Sequence, residues 1–231
     1  MKKIVGLFLA LLAACSAPAP EPEESKEALA AAFKESLAAA YLLARFDGIT
    51  ENEMQVRGTA RWYRSGVLLV DMKETGSGRV RLLKIGAQAW IFDEPSKAWT
   101  DAARAGRAED GMGFAHPFEL ISALSLEVPS FKGWHGAFVL RDAGGKGDEY
   151  VKPLLRGAGK GGAESRLGVR VELGESQKMR IEFSGRVGSR RCMASVDIHS
   201  SATPPPMQFD DIPSPFTPEM KAAVRKATEA K

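Results

Sequence analysis

The side chains able to carry a proton, a metal or a covalent bond are few in this chain, and they are scattered. The three histidines, His116, His135 and His199, lie in different segments and form no HxxxH or HxxH pair, the spacing that lets two imidazoles share a metal. His116 stands directly before Pro117 and reads as a turn or helix-start residue. Gly157-Ala158-Gly159-Lys160-Gly161-Gly162 lacks the GxxxxGK[ST] spacing of a phosphate loop and has no helix-forming continuation, so it reads as a flexible hairpin loop. In DAGGKGDE, from Asp142 to Glu149, the acids are too few and too badly spaced for a calcium loop. No GxSxG occurs, and no serine or cysteine nucleophile has a base near it in sequence. Cys192, next to Met193 in an alternating stretch, reads as a small apolar residue. No catalytic residue, metal site or cofactor is therefore expected, and the chain is not read as an enzyme.

Cys15 is different, because its surroundings give its thiol a role. Lys2 and Lys3 precede an uncharged apolar run, Ile4 to Ala14 (IVGLFLALLAA), which together read as the positive and hydrophobic regions of a secretion signal. The run falls short of the about 20 apolar residues needed to cross a bilayer. Leu12-Ala13-Ala14-Cys15 resembles the lipobox of bacterial lipoproteins, which implies diacylglycerol transfer to the Cys15 sulfur, cleavage before it and acylation of the new amino terminus. Each buried CH₂ contributes about 0.8 kcal/mol, so one acyl chain anchors marginally and two or more anchor stably. The expected organisation is a signal peptide over residues 1–14, the lipidated Cys15 with a Pro/Glu-rich spacer over 15–24 (CSAPAPEPEE), and one domain over 25–231. The protein is expected to be extracytoplasmic and membrane-anchored. Ser16 is not the aspartate that retains enterobacterial lipoproteins in the inner membrane, which favours the outer membrane where the source has one.

The composition, 44% hydrophobic and 26% charged, is that of an ordinary globular protein. Removing Lys2 and Lys3 lowers the formal net charge from +3 to +1, and nothing at this level points to nucleic acid. With Cys15 acylated only Cys192 remains, which excludes an intramolecular disulfide and a multi-cysteine zinc site.

The elements that position these side chains are legible from periodicity. Ser25 to about Phe46 is rich in helix formers and places Leu29, Phe33, Leu37, Ala40, Tyr41 and Ala44 on one face, which predicts a long amphipathic helix ending at Asp47-Gly48. From Met54 the period changes to two, with Met54, Val56, Ala60 and Trp62 on one face. Further strands are predicted over 67–74, 79–85, 88–93, 98–101, 136–141, 149–155, 167–173, 178–186 and 190–199, with tight turns at 75–78 and 94–97. A short helix is predicted over His116 to Ser125, with Pro117 at its first position, and a last one after Thr217-Pro218. The sum is an α+β fold, a curled antiparallel β-sheet (half-barrel) with helices covering its concave face.

The order of parts resembles a family. A lipobox, a spacer, an alanine-rich helix, "VRGTARWYR", "KIGAQAWIFDEPSKAWTDA", "HPFELISAL" and "VDIHSSATPPPMQFDDIPSPF" are similar to the arrangement in the LolA/LolB and LppX/LprG-like superfamily of lipid carriers, over most of residues 25–216. The portion most like the family is Gly86, Trp90, Phe92, Asp93 and Trp99. The resemblance implies a half-open barrel closed by helices around an apolar cavity for acyl chains, with no cofactor and no covalent chemistry.

The residues themselves supply candidate lining. Trp62, Leu83, Trp90, Phe92, Trp99, Phe114, Phe118 and Leu124 are the apolar side chains expected to contact a ligand if the interior is hollow, whereas a filled interior would make them plain core. Trp134 and Phe138 belong to the same aromatic surplus. A cationic set, Arg166, Arg170, Lys178, Arg180, Arg186, Arg190 and Arg191, is interleaved with glutamates in the late strands. It reads either as a solvated face or as a surface for anionic headgroups, with Arg190 and Arg191 as the headgroup contact. The expected partners are the membrane, through the lipid anchor, and a lipid or acylated ligand. The alternative is a tethered structural or interaction lipoprotein that binds another envelope protein and has no lipid cavity.

Overall fold

A computed structural model describes residues 26–50, 55–75, 78–93, 95–102, 116–141, 166–187, 190–205 and 217–229. The signal peptide, Cys15, the spacer, Phe114, the strand expected over 149–155 and the glycine-rich loop before Arg166 lie outside the described residues.

The described chain forms one antiparallel sheet of eleven strands in the order β6-β5-β4-β3-β2-β1-β11-β10-β9-β8-β7. The first meander is β1 (Tyr41–Thr50), β2 (Gln55–Tyr63), β3 (Val67–Glu74), β4 (Gly78–Ile85), β5 (Gln88–Asp93) and β6 (Ala98–Asp101). The second is β7 (Lys132–Trp134), β8 (Ala137–Leu140), β9 (Arg166–Leu173), β10 (Lys178–Val187) and β11 (Arg190–Ser201). Pairing of β1 with β11 over ten residues, Tyr41↔Ser201 to Thr50↔Cys192, joins the two meanders. Strands β6 and β7 are thus opposite edges of the sheet.

Among the described residues three helices accompany the sheet: α1 (Lys26–Ala38), α2 (Pro117–Ser125), which lies between β6 and β7 in the chain, and α3 (Pro218–Glu229). A single 3₁₀ turn, Val128–Ser130, follows α2. The long helix expected to Phe46 is corrected by the structure. It stops at Ala38, Ala39 N–H closes back on Ser36 O at 3.2 Å, and Ala40 N–H donates to Ser201 O at 3.0 Å. From Tyr41 the chain is the central strand. Leu42, Ala44 and Phe46 are buried, so the residues read at helical spacing also fit a period of two, and pairing on both sides decides between them.

The two short helices start as expected. His116 caps α2, its Nδ1 accepting from Glu119 N–H at 3.3 Å, with Pro117 next. Thr217 Oγ1 accepts from Met220 N–H at 3.2 Å at the start of α3. Strand β7 was not anticipated. It arises because His135 (φ 48°) and Gly136 (φ 75°) form a two-residue hairpin turn with both central φ positive, a geometry that matches strand twist. Trp134, expected with the core aromatics, is therefore 52% exposed on the edge strand, while Phe138 is buried.

Successive side chains of a strand point to opposite faces, and the apolar residues divide accordingly. Leu42, Ala44, Phe46, Val56, Ala60, Trp62, Leu68, Val70, Leu82, Val169, Ile181 and Val196 form a cluster with Leu29 and Phe33 of α1 and Leu120, Ile121 and Leu124 of α2. This inner face is tightly built: Gly58 lies between Phe46 and Met72 in the register, and a Cβ there would fall onto the Asp71 carbonyl oxygen and 2.7 Å from Met72 Cα. On the outer face Tyr41, Tyr63, Val67 and Leu83 gather with Met220 and Val224 of α3. Helices therefore sit on both faces, and α3 does not join α1 and α2.

Candidate functional site

Two regions bear on function, one on each face. On the inner face the Trp62 and Phe118 rings stack with centroids 4.6 Å apart, which fixes α2 over β2, and Leu124 below them is fully buried. Helix α2 packs chiefly against α1, β1 and β2. A side chain that borders a water-sized void keeps accessible surface. Leu42, Ala44, Ala60, Leu120, Ile121, Leu124 and Val196 keep none, so no such void adjoins them. Trp62, Met72, Val80 and Ala194 on the same face keep 6–9% of their surface.

The structure divides the residues singled out as lining. Trp62, Phe118 and Leu124 share the inner face. Leu83, Trp90 and Trp99 belong with the outer cluster near α3, and Phe92 joins them through its register with Arg81 and Trp99. Phe92 and Trp99 have ring centroids 5.5 Å apart, and the buried Arg81 guanidinium lies 5.0 Å over the Phe92 ring. Register thus puts a full sheet thickness between the two groups, and they do not line one cavity. Phe114 and Cys15 lie outside the described residues.

The cations of the late strands also separate. Lys178 pairs with His199 at one end of the β10–β11 hairpin, and Arg186 pairs with Arg191, and Val187 with Arg190, at the other. At about 3.4 Å per residue the two ends are about 30 Å apart. Arg191 is exposed on the outer face, at the end that carries Arg190.

Near Lys178 the outer face holds a cleft of about 520 Å³, open on one side, bordered by Leu43, Arg45, Glu172, Lys178, Arg180, Asp197 and His199 among others. Its charges are largely matched. Arg180 Nε donates to Glu182 Oε1 at 2.9 Å and Nη1 lies 3.6 Å from Asp197 Oδ1, interactions that raise the Arg180 pKa further. Arg170 donates to Glu172 at 2.6 Å. The Arg45 and Lys178 side chains make no hydrogen bond or ion pair among the described residues, and His199 Nδ1 is buried without a hydrogen-bond partner among them. Arg45 is not among the sequence-predicted site residues, because the helix expected over its segment hides the period of two. The alternation of Leu43, Arg45 and Asp47 against Leu42, Ala44 and Phe46 was the signal available.

The remaining reactive side chains have structural places. Burial pushes the Cys192 thiol up to about 11. Burial lowers His116, against a raising effect of Glu119. Among the described residues no three His, Cys, Asp or Glu side chains gather as a metal site would require, and no helix is long and apolar enough to cross a membrane. No family model and no curated protein matches this chain.

Proposed function

We propose that this is a lipoprotein of the cell envelope, tethered through acylated Cys15, whose sheet curls as a LolA-like half-barrel and takes up a lipid or acylated ligand non-covalently on its inner face. The observation that carries this reading is the pairing of an extended apolar sheet face with a small cover. The inner cluster runs from β5 to β8, and α1 and α2 lie over it with Leu29, Phe33, Leu120, Ile121 and Leu124.

A ligand enters only if α2 moves, and magnitudes allow that. Exposing Leu120, Ile121 and Leu124 costs roughly 5–9 kcal/mol at about 1.5–3 kcal/mol per side chain. A sixteen-carbon tail taken from water gains on the order of 12 kcal/mol at about 0.8 kcal/mol per CH₂. A tail drawn from a bilayer is already buried, so the exchange is closer to balance, as a carrier that must also release its load requires. The reaction is a transfer of apolar area; no bond is made or broken.

The close packing beneath α2 favours a second reading, in which the core stays solid and the tethered domain binds another envelope protein. One experiment separates them. The Cys15→Ala chain is purified and analysed by native mass spectrometry for co-purifying lipid, then titrated with a fluorescent fatty acid. The same titration follows in the Trp62→Cys/Phe118→Cys variant after a short bismaleimide has joined α2 to β2. The carrier reading expects saturable binding that the cross-link abolishes. A clean apo protein that ignores the probe leaves the interaction module.

A further inference from the structure

The outer-face cleft stands apart from the lipid-carrier reading. Its pattern follows from register: Arg45 pairs with Asp197, Asp197 with Arg180, and Arg180 with Glu172. One step along the strands, Leu43 pairs with His199 and His199 with Lys178. Cross-strand partners on one face lie about 4.5–5.5 Å apart at Cβ, so Arg45, Arg180 and Lys178 surround Asp197 and His199. Three carboxylates stand in or beside the wall: Glu172 pairs with Arg170 at 2.6 Å, and Glu182 and Asp197 share Arg180 at 2.9 Å and 3.6 Å. The Arg45 and Lys178 side chains make no ion pair among the described residues, and with Arg170 and Arg180 they outnumber the carboxylates Glu172, Glu182 and Asp197 by one.

The support of the cleft is fixed before any ligand arrives. The β9–β10 turn holds Ser176 at φ 57° and Gln177 at φ 60°, a left-handed conformation that non-glycine residues keep only under constraint. The constraint is visible. Gln177 Nε2 donates to Glu35 of α1 at 2.5 Å, Ser200 N–H donates to Gln177 O at 3.2 Å, and Gly174 N–H to Lys178 O at 2.9 Å. Lys178 thus leaves a turn pinned to two other elements.

We propose that this cleft binds an oxyanion of the phosphate class between Arg45 and Lys178. The wall keeps a net positive charge, the donors of Arg45 and Lys178 are not engaged by a carboxylate, and charge-assisted bonds from guanidinium and ammonium to a phosphate oxygen are the strong ones. The cleft, at about 520 Å³, is larger than a bare phosphate needs, and Leu43 on its border offers apolar contact to a substituent. Such a phosphate could belong to a free small molecule or to a phospholipid headgroup, and the two sources are told apart by experiment.

The test uses the full chain carrying Cys15→Ala at low ionic strength. Inorganic phosphate is titrated calorimetrically, and sedimentation is measured with phosphatidylglycerol/phosphatidylcholine vesicles and with phosphatidylcholine alone. The Arg45→Ala/Lys178→Ala variant is compared with Lys132→Ala/Lys221→Ala, which removes two exposed cations elsewhere. The cleft variant is expected to weaken binding about tenfold or more while the charge-matched control does not. An effect on inorganic phosphate identifies a small phosphate ligand, and an effect confined to anionic vesicles identifies the headgroup. Absence of binding in both arms, or equal losses in the two variants, overturns the proposal. Arg45→Gln/Lys178→Gln replaces the alanine variant if its thermal midpoint falls. Binding of a fluorescent fatty acid is expected to be unchanged by either cleft variant, so the inner and outer sites are scored separately.

Discussion

At the scale of single residues, burial decides which reactive groups react. Cys192 is 1% exposed on the inner face of β11, and loss of hydration moves its thiol from an ordinary 9.0 to about 11. Tyr63 is pushed to about 12, first by burial and then by Tyr41 beside it. Both groups prefer the neutral form in the folded state. Their stabilisation is therefore complete below the ordinary values and is lost as pH rises through the folded ones. The urea midpoint is expected to fall as pH rises from 9 through about 11, and Cys192→Ala, which has no thiol to ionise, is expected to flatten the first part of that fall. A slope unchanged by Cys192→Ala would show that the thiol is hydrated in the folded protein. Cys192 stands in an alternating run that reads it as a small apolar residue, and its burial agrees with that. The sequence could not show that Arg45 and Lys178 flank the same strand, because they are far apart in the chain and only β11, which pairs with both β1 and β10, brings their strands together.

At the scale of elements, local signals specify ends better than middles. His116-Pro117 and Thr217-Pro218 each combine a side-chain acceptor with a residue whose missing N–H costs nothing in a first helical turn, and both helices begin there. The Ala38–Phe46 stretch carries no such punctuation. Its Leu, Ala and Arg are good helix formers, and only tertiary pairing with β2 and β11 makes it a strand. Thr217→Ala removes the acceptor for Met220 N–H, and the expected loss is about 1 kcal/mol in urea denaturation. The same variant tests whether α3 folds with the sheet. Trp90 and Trp99 lie beside the α3 cluster, so their fluorescence should report one transition with circular dichroism if it does, and an earlier one if α3 detaches first.

At the scale of the whole molecule, the sheet separates two apolar clusters that composition merges into one surplus. The positions of β2 to β6 and β8 to β11 are legible from their period of two, whereas β1 reads as helix and the short β7 carries no such signal. The order of strands is not legible, because the β1–β11 pairing depends on residues about 150 positions apart and no local pattern encodes it. That order is what places Trp62 and Phe118 on one face and Leu83 and Trp99 on the other. Thermodynamic cycles can measure this division. Trp62→Ala and Phe118→Ala remove two stacked rings, so their double variant should depart from additivity by about 0.5–1.5 kcal/mol. Leu124→Ala on the inner face and Val224→Ala in α3 share no cluster, and their effects should add within about 0.3–0.5 kcal/mol. Strong coupling between Leu124 and Val224 would mean that the two clusters touch, and the sheet would no longer be a wall between a ligand-exchanging face and an outer one. Additivity there, with coupling at Trp62–Phe118, is the energetic pattern that a movable α2 on one side of a fixed sheet requires.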